Sequence, residues 1–166
     1  MANGKFYVII RGPLGCGKST ISETLSKDLK GKHIEVDRVL DENQLTEDKE
    51  DGYISQKSFI KANEIIAKRS NELIRNGTPV VYDGNFYWES QIKDLIEKLD
   101  YPHYVFTLKC PLDICIDRDG RRDNPHGEEA TRAVFDKSNS FDIGININVV
   151  QDINKVIKEI KSHIKI

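Results

Sequence analysis

The strongest constraint on this sequence is a glycine-rich segment that follows directly on an apolar run. Residues 6–10 (FYVII) are typical of a buried strand, and Gly12-Pro13-Leu14-Gly15-Cys16-Gly17-Lys18-Ser19 fits the pattern G-x-x-x-x-G-K-[ST]. Residues 18–29 then carry apolar side chains every four positions, which predicts an amphipathic helix. This order of strand, turn and helix predicts a phosphate-binding loop, because backbone N–H groups at the start of the helix point at an anion.

Each position of the loop has an expected task. Glycine allows the backbone to approach the phosphates closely. Lys18 is expected to reach the β- and γ-phosphates of a nucleotide, and the Ser19 hydroxyl is expected to bind Mg²⁺. Cys16 is interpreted as a small residue and not as a redox group. The predicted nucleotide-binding residues of this segment are Gly12, Pro13, Leu14, Gly15, Cys16, Gly17, Lys18, Ser19 and Thr20.

Strand-like runs alternate with helical patterns along the whole chain. The runs are at 6–10, 33–36, 79–82, 104–108 and about 141–147, and the helical patterns are at 18–29, 54–74, 89–99 and 149–164. Pro111 is expected at the first position of a further helix. The nearly continuous apolar character of the first, third and fourth runs indicates strands buried on both faces. The sequence therefore predicts a single α/β domain, 1–166, with a parallel sheet between helices.

Two segments do not fit this alternation. Asp41 to Asp51 is acidic and polar, which favours a solvated loop over a mobile flap. Arg118 to Asn139 is rich in Arg, Asp, Asn and Gly and lies between the fourth and fifth runs.

Composition excludes several classes of protein. With 25 basic and 27 acidic residues among 166, the net charge is −2, which excludes a strongly basic nucleic-acid coat. The chain has no run of 18 apolar residues that could span a membrane, and its first residues lack the pattern of a signal peptide. The three cysteines argue against a disulfide framework and a zinc site, so we expect a reducing, cytoplasmic location.

The chain resembles the P-loop kinase group, which includes gluconate and shikimate kinases, adenylylsulfate kinase, chloramphenicol phosphotransferase, phage-type polynucleotide kinase and other small AAA-type kinases. The resemblance rests on the phosphate-binding loop, Asp37-Arg38, Asp83 and the cluster from Arg118 to Arg122. It implies a three-layer P-loop NTPase domain with a five-stranded parallel sheet in the order 2-3-1-4-5. It also implies ATP and Mg²⁺ as cofactors and a lid at about 118–139.

Asp37 and Arg38 are predicted to end the second strand, which places Asp37 in the same crevice as the phosphate-binding loop. By resemblance to hydroxyl kinases, Asp37 is the candidate general base for the attacking hydroxyl, and Arg38 is a candidate substrate clamp. The alternative is a helix N-cap followed by a surface arginine.

Asp83 follows the apolar run 79–82. By resemblance it would hold Mg²⁺ together with Ser19, and Asn85 could contact the substrate. The aromatic residues Phe86, Tyr87 and Trp88 come next, and packing at a helix start is favoured over stacking on a substrate.

Arg118, Arg121 and Arg122 correspond in position to the lid arginines of the group. Arg118 and Arg122 are candidate catalytic residues that would stabilise charge on the transferring phosphoryl group, and Arg121 is a candidate nucleotide-binding residue. The alternative is a solvated cluster, because aspartates alternate with these arginines. His126 is interpreted as a surface histidine.

The resemblance implies transfer of the γ-phosphoryl of ATP to a hydroxyl of a small molecule or nucleotide. No guanine-specifying motif is present, so ATP is favoured over GTP. Three alternatives remain open: a polynucleotide 5′-hydroxyl kinase, with nucleic acid as the acceptor, a nucleoside monophosphate kinase, and a nucleotide-binding switch. The expected partners are the nucleotide and the acceptor, without a membrane, in a monomer or homodimer.

Overall fold

A computed structural model of the chain describes residues 4–165 and has a five-stranded parallel sheet at its centre. In chain order the strands are β1 (Tyr7–Arg11), β2 (Lys32–Glu35), β3 (Lys49–Glu50), β4 (Tyr53–Ile54), β5 (Val80–Gly84), β6 (His103–Lys109) and β7 (Ile145–Asn148). The sheet has the order β2-β5-β1-β6-β7, and β3 and β4 form a separate antiparallel hairpin. Counting only the five sheet strands, this is the predicted order 2-3-1-4-5, which is confirmed.

Seven helices occur among the described residues. They are α1 (Lys18–Asp28), α2 (Val36–Glu42), α3 (Gln56–Arg75), α4 (Glu89–Lys98), α5 (Leu112–Gly120), α6 (Glu128–Ser138) and α7 (Ile153–His163). Apolar side chains of α1 and α7 pack in one core cluster, and those of α3 and α4 pack in another. Because the two clusters lie on opposite faces of the sheet, the predicted three layers are confirmed.

The central strand β1 explains how the layers are held together. Val8 and Ile10 belong to the cluster with α1 and α7, whereas Tyr7 and Ile9 belong to the cluster with α3 and α4. All four side chains are fully buried. Alternating side chains of one strand therefore supply both cores, as the continuous apolar run predicts.

The boundaries of two elements differ from the sequence prediction. The fifth sheet strand covers 145–148 and not 141–147, because Gly144 turns the chain at φ 71° just before it. A Cβ on Gly144 would lie 2.1 Å from the carbonyl oxygen of Val105, so only glycine fits there. Pro111 is the N-cap of α5 and not its first helical residue.

The segment from Asp41 to Asp51 was only partly predicted correctly as a loop. Its first two residues complete α2, and its end enters the β3–β4 hairpin. Asp51 and Gly52 form the two-residue connection with φ of 51° and 82°. Positive φ at both positions is the geometry that Asp-Gly favours in tight hairpins.

The segment from Arg118 to Asn139 contains α6, which the sequence analysis does not predict. Thr131, Val134 and Ser138 form the buried side of this helix. Among residues 4–165, the structure has no helix that is long and apolar enough to cross a membrane.

Candidate functional site

The loop between β1 and α1 has the geometry of an anion cradle. Gly15 and Gly17 adopt φ of 75° and 87°, and a Cβ on Gly15 would lie 2.3 Å from the carbonyl oxygen of Cys115. The Lys18 Nζ donates a 2.8 Å hydrogen bond to the carbonyl oxygen of Pro13, across the loop. The ammonium group is therefore already held over the cradle formed by the loop.

A cavity of about 230 Å³ lies over this loop. It is lined by Leu14, Gly15, Gly17, Lys18, Ser19, Thr20, Arg118 and Arg122. Three cationic side chains surround a space next to the N-terminus of α1, and both features favour a polyanionic ligand. Gly12, Pro13 and Cys16 are buried beneath this surface, and burial raises the pKa of the Cys16 thiol. A buried thiol of raised pKa is unreactive, which agrees with its interpretation as a small packing residue.

The three candidate arginines have different surroundings. Arg118 and Arg122 both line the cavity, although α5 ends at Gly120 and Arg122 therefore lies beyond the helix. The Arg121 guanidinium lies 2.9 Å from the Asp117 carboxylate on the exposed side of α5. The structure thus brings two of the three arginines to the phosphate-binding loop.

Asp37 lies in the first turn of α2 and not at the end of a strand, which corrects the sequence prediction. The second strand ends at Glu35 because Val36, Val39 and Leu40 form a helical stripe that packs into the core. Neither Asp37 nor Glu35 caps the helix with its side chain, since α2 has its N-cap at Glu35 without a side-chain hydrogen bond.

Asp37 is exposed to solvent, and its carboxyl group faces a crevice that it shares with Lys18, Asp83 and Asn85. Desolvation in the crevice raises its pKa to about 6, although the Lys18 ammonium works to lower it. The Asp83 carboxylate also raises the pKa, and the Asn85 backbone N–H donates to Asp37 and lowers it. Asp37 is therefore an accessible carboxylate beside the phosphate-binding lysine, with a pKa close to the physiological range.

Asp83 is the second-to-last residue of β5 and is paired with a residue that sequence reasoning missed. The His33 Nε2 lies 2.5 Å from the Asp83 Oδ2, and both side chains are largely buried. The hydrogen bond to Asp83 raises the pKa of His33. The pairing depends on the adjacency of β2 and β5, for which the sequence carries no local signal.

Asn85 and the aromatic residues after it form the wall next to Asp37. The Asn85 Nδ2 donates a 3.1 Å hydrogen bond to the Tyr87 hydroxyl. Burial raises the pKa of Tyr87 to about 12, and the nearby Asp37 charge adds to this effect. Phe86 is fully buried, and the Trp88 Nε1 donates to the carbonyl oxygen of Ile54. This agrees with the favoured interpretation that the aromatic residues pack a helix start.

The ring of Trp88 also supports the helix that follows the arginines. The Lys137 ammonium lies 3.6 Å from the centre of this ring, and the Tyr53 hydroxyl donates a 3.0 Å hydrogen bond to the carbonyl oxygen of Ala133. The hairpin, the start of α4 and α6 are thus joined on one side of the crevice.

Arg38 does not face the phosphate-binding loop. Its Nε donates a 2.9 Å hydrogen bond to Glu42, and its side chain lines a separate cavity of about 280 Å³ beside Arg69 and Lys32. The structure therefore separates Arg38 from Asp37, although the two are adjacent in sequence.

The residues present suit a bound Mg²⁺. Ser19 lines the cavity, and Asp83 supplies a carboxylate on β5, the strand next to β1. No group of three or more metal-ligating side chains occurs within the described part of the chain. Two oxygen ligands suffice for a magnesium ion that takes its other ligands from water and phosphates.

Comparisons with known proteins agree with this architecture. A family model described as an AAA domain matches residues 8–141. No curated protein sequence matches the chain. A gluconokinase from Sinorhizobium meliloti 1021 has a similar structure, with a TM-score of 0.71 at 15% identity, over 93% of this chain and 89% of the other.

Two further solved structures share the fold. A sugar kinase from Janibacter sp. HTCC2649, in an unliganded structure, superposes with a TM-score of 0.69 at 14% identity, over 94% of this chain and 92% of the other. The Deinococcus radiodurans tunicamycin resistance protein gives a TM-score of 0.69 at 17% identity, over 94% and 93%. Since the family model covers most of the chain and the sheet, loop and helices match these structures, the protein belongs to the AAA domain family and has the P-loop kinase-like fold.

Proposed function

We propose that this protein is a kinase that transfers the γ-phosphoryl group of ATP to a hydroxyl group of a small molecule or nucleotide. The observation that carries the proposal is the position of Asp37, an accessible carboxylate beside Lys18 with a pKa raised to about 6. A carboxylate next to bound phosphates would be repelled by them, and a role in orienting or deprotonating the acceptor hydroxyl accounts for it.

The residues around the cavity divide the work. Lys18 and the loop N–H groups bind the phosphates, and Arg118 and Arg122 stabilise charge on the transferring group. Asp37 accepts a hydrogen bond from the acceptor hydroxyl and holds it in line with the phosphorus atom. A Mg²⁺ ion held by Ser19 and Asp83 would neutralise phosphate charge.

Small molecules are the leading acceptors. Two structural neighbours are a gluconokinase and a sugar kinase, which favours a polyhydroxylated acceptor. A nucleoside monophosphate kinase acts on an acceptor that is already charged and would not need Asp37. The screen described next also distinguishes a polynucleotide 5′-hydroxyl kinase and a nucleotide-binding switch from a small-molecule kinase.

The test is a screen for ATP consumption and Mg²⁺ dependence with sugars, sugar acids, amino-alcohols, nucleotides and 5′-hydroxyl oligonucleotides. We expect one class of hydroxyl compound to stimulate ATP consumption in the wild-type protein and in Asp41→Asn, but not in Asp37→Asn. Asp41 is a matched control because it is exposed on the same helix. If ATP binds but no acceptor stimulates ATP consumption, the protein is a nucleotide-binding switch and not a kinase.

A further inference from the structure

The carboxylate of Asp119 joins both ends of the arginine loop, defined here as residues 121–127 between α5 and α6. Its Oδ2 accepts a 3.0 Å hydrogen bond from the Gly127 N–H, at the N-cap of α6. Its Oδ1 lies 2.9 Å from the His126 Nδ1 and 3.7 Å from the Arg122 Nη1. One side chain of α5 thus contacts the beginning and the end of the loop.

The protonation of these groups follows from their chemistry. A carboxylate only accepts hydrogen bonds, so the His126 Nδ1 carries a proton and donates it to Asp119. That nitrogen cannot then accept from Arg122, although the Arg122 Nη1 is only 3.1 Å away. The attraction that holds Arg122 is therefore its charge interaction with Asp119 and not a bond to His126.

Asp119 is well suited to hold a cation in place. Only 1% of the residue is exposed, and two residues of the arginine loop, His126 and Gly127, bond to its carboxylate. Although burial of the carboxyl group favours a higher pKa, hydrogen bonds from His126 and the Gly127 N–H outweigh it and hold the pKa of Asp119 below its usual value. Asp119 is therefore ionised at neutral pH, and its negative charge attracts the neighbouring Arg122 guanidinium.

Arg121, the other arginine of this loop, lacks such an arrangement. Arg121 pairs with Asp117, and both of these side chains are more than half exposed, where an ion pair contributes little. Arg122, by contrast, borders the phosphate cavity with its guanidinium next to a buried carboxylate.

We propose that Asp119 is a positioning residue that holds Arg122 over the phosphate cavity. The inference rests on the proposed function, because it takes the phosphates of ATP as the target of Arg122. It adds a residue that touches neither nucleotide nor acceptor and acts through the arginine.

A purely structural role for Asp119, as the acceptor for the N–H of Gly127 at the N-cap of α6, predicts different behaviour. In Asp119→Asn the amide oxygen can still accept from the Gly127 N–H, but the side chain has no charge to hold Arg122. The variant therefore keeps the bond to the N-cap residue of α6 and removes the charge that positions Arg122. Asp123→Asn is the matched control, since Asp123 is an exposed acid of the same loop.

The experiment measures the affinity for Mg²⁺–ADP and for Mg²⁺–ADP–aluminium fluoride, which mimics the transferring phosphoryl group, by calorimetry. This readout needs no identified acceptor. The ratio of the two affinities is compared in wild type, Arg122→Ala, Asp119→Asn and the double variant. We expect each single variant to lower the ratio about tenfold or more, in the range of a lost charge-stabilising donor, and the double variant to fall no further than Arg122→Ala. Asp123→Asn is expected to match wild type.

Hydrogen exchange at the Gly127 amide accompanies each measurement. If protection of this amide is lost in Asp119→Asn, Asp119→Glu takes its place in the cycle, because it keeps the charge and displaces it by one bond. Effects that multiply in the double variant, or an unchanged ratio in the Asp119 variants, overturn the inference while nucleotide binding stands. A wild-type protein that binds neither complex overturns the proposed function, and the inference with it.

Discussion

Arg11, the last residue of β1, donates a 2.8 Å hydrogen bond from Nη2 to the carbonyl oxygen of Ser138, the last residue of α6. Its Nη1 donates to the Thr107 hydroxyl at 3.2 Å, and the guanidinium lies 4.2 Å from the centre of the Phe141 ring. The strand that leads into the phosphate-binding loop is thus fixed to the helix that follows the arginine loop.

This buried cation is expected to matter for stability. Arg11 is fully buried, and desolvation lowers its pKa to about 10 against the opposing charge of Asp142. The lysine ammonium cannot reach both the Thr107 hydroxyl and the Ser138 carbonyl oxygen, so Arg11→Lys leaves one of these buried oxygens without this donor. The substitution should therefore lower the free energy of unfolding by about 2–3 kcal/mol.

Urea unfolding checks this value. Arg75→Lys is the matched control, since Arg75 is exposed in the last turn of α3 and should change the free energy of unfolding by less than about 0.5 kcal/mol. Equal stability of Arg11→Lys and wild type would show that the second hydrogen bond of the guanidinium contributes nothing to stability.

Lys18→Ala is expected to abolish phosphoryl transfer and to leave the fold intact. The Lys18 ammonium lies at the cavity, and its bond to the Pro13 carbonyl is local to the loop. Circular dichroism and an ATP-consumption assay measure the two effects. Lys27→Ala, on the exposed side of the same helix, is the control. Full activity in a folded Lys18→Ala protein would rule out the kinase.

Asp37→Asn is expected to lower kcat by about 10²-fold or more, with little change in nucleotide affinity. A general base must be ionised, so kcat/KM of wild type should rise with pH up to about 6, the pKa of Asp37, and level off above it. The variant should lack this rise. If the variant loses nucleotide binding but keeps its turnover, Asp37 belongs to the phosphate site and not to the acceptor site.

The same substitution is expected to stabilise the protein at neutral pH. A carboxyl group with a raised pKa in the folded state favours folding only while it is protonated, and that contribution is lost as the pH rises through about 6. Asp37→Asn should therefore raise the Tm at pH 7 and leave it unchanged near pH 4. A Tm difference that does not depend on pH would show that desolvation is not its cause.

The parts of the fold that follow from local pattern could be predicted from sequence. The apolar run of β1 and the spacing of α1, α3 and α4 report burial directly. α6 escaped prediction because its buried side consists of Thr131, Val134 and Ser138, two of them polar. The β3–β4 hairpin did carry a turn signal, Asp51-Gly52. Its strands, however, have only two residues each, which is too short to show alternation of apolar and polar side chains.

The candidate site was predictable only where one segment contains the whole motif. The phosphate-binding loop is such a segment. No local sequence pattern predicts the pairing of His33 with Asp83 or the burial of Arg11, because both depend on which strands and helices are neighbours. Arg38 was assigned by its neighbour Asp37, yet successive residues at the start of a helix point in different directions.

Only part of the segment 118–139 is expected to move. The resemblance to P-loop kinases implies a lid over this whole segment, but the contact between Arg11 and Ser138 fixes the end of α6. We therefore expect movement in 118–127 and the first turn of α6, where the exposed loop makes few buried contacts.

Closure of this part would bring Arg118 and Arg122 onto the phosphates and exclude water. Hydrogen exchange with and without Mg²⁺ and a non-hydrolysable ATP analogue tests it. Ligand should slow exchange in 118–127 and at the start of α1, whereas residues 134–139 should be protected in both states and α4 should not respond. In Arg11→Lys the protection of 134–139 without ligand should be weaker, because lysine holds the end of the helix by fewer hydrogen bonds. The opposite result would be equal exchange at both ends of 118–139 without ligand and uniform protection of the whole segment with ligand. That result would show a lid that moves as one unit.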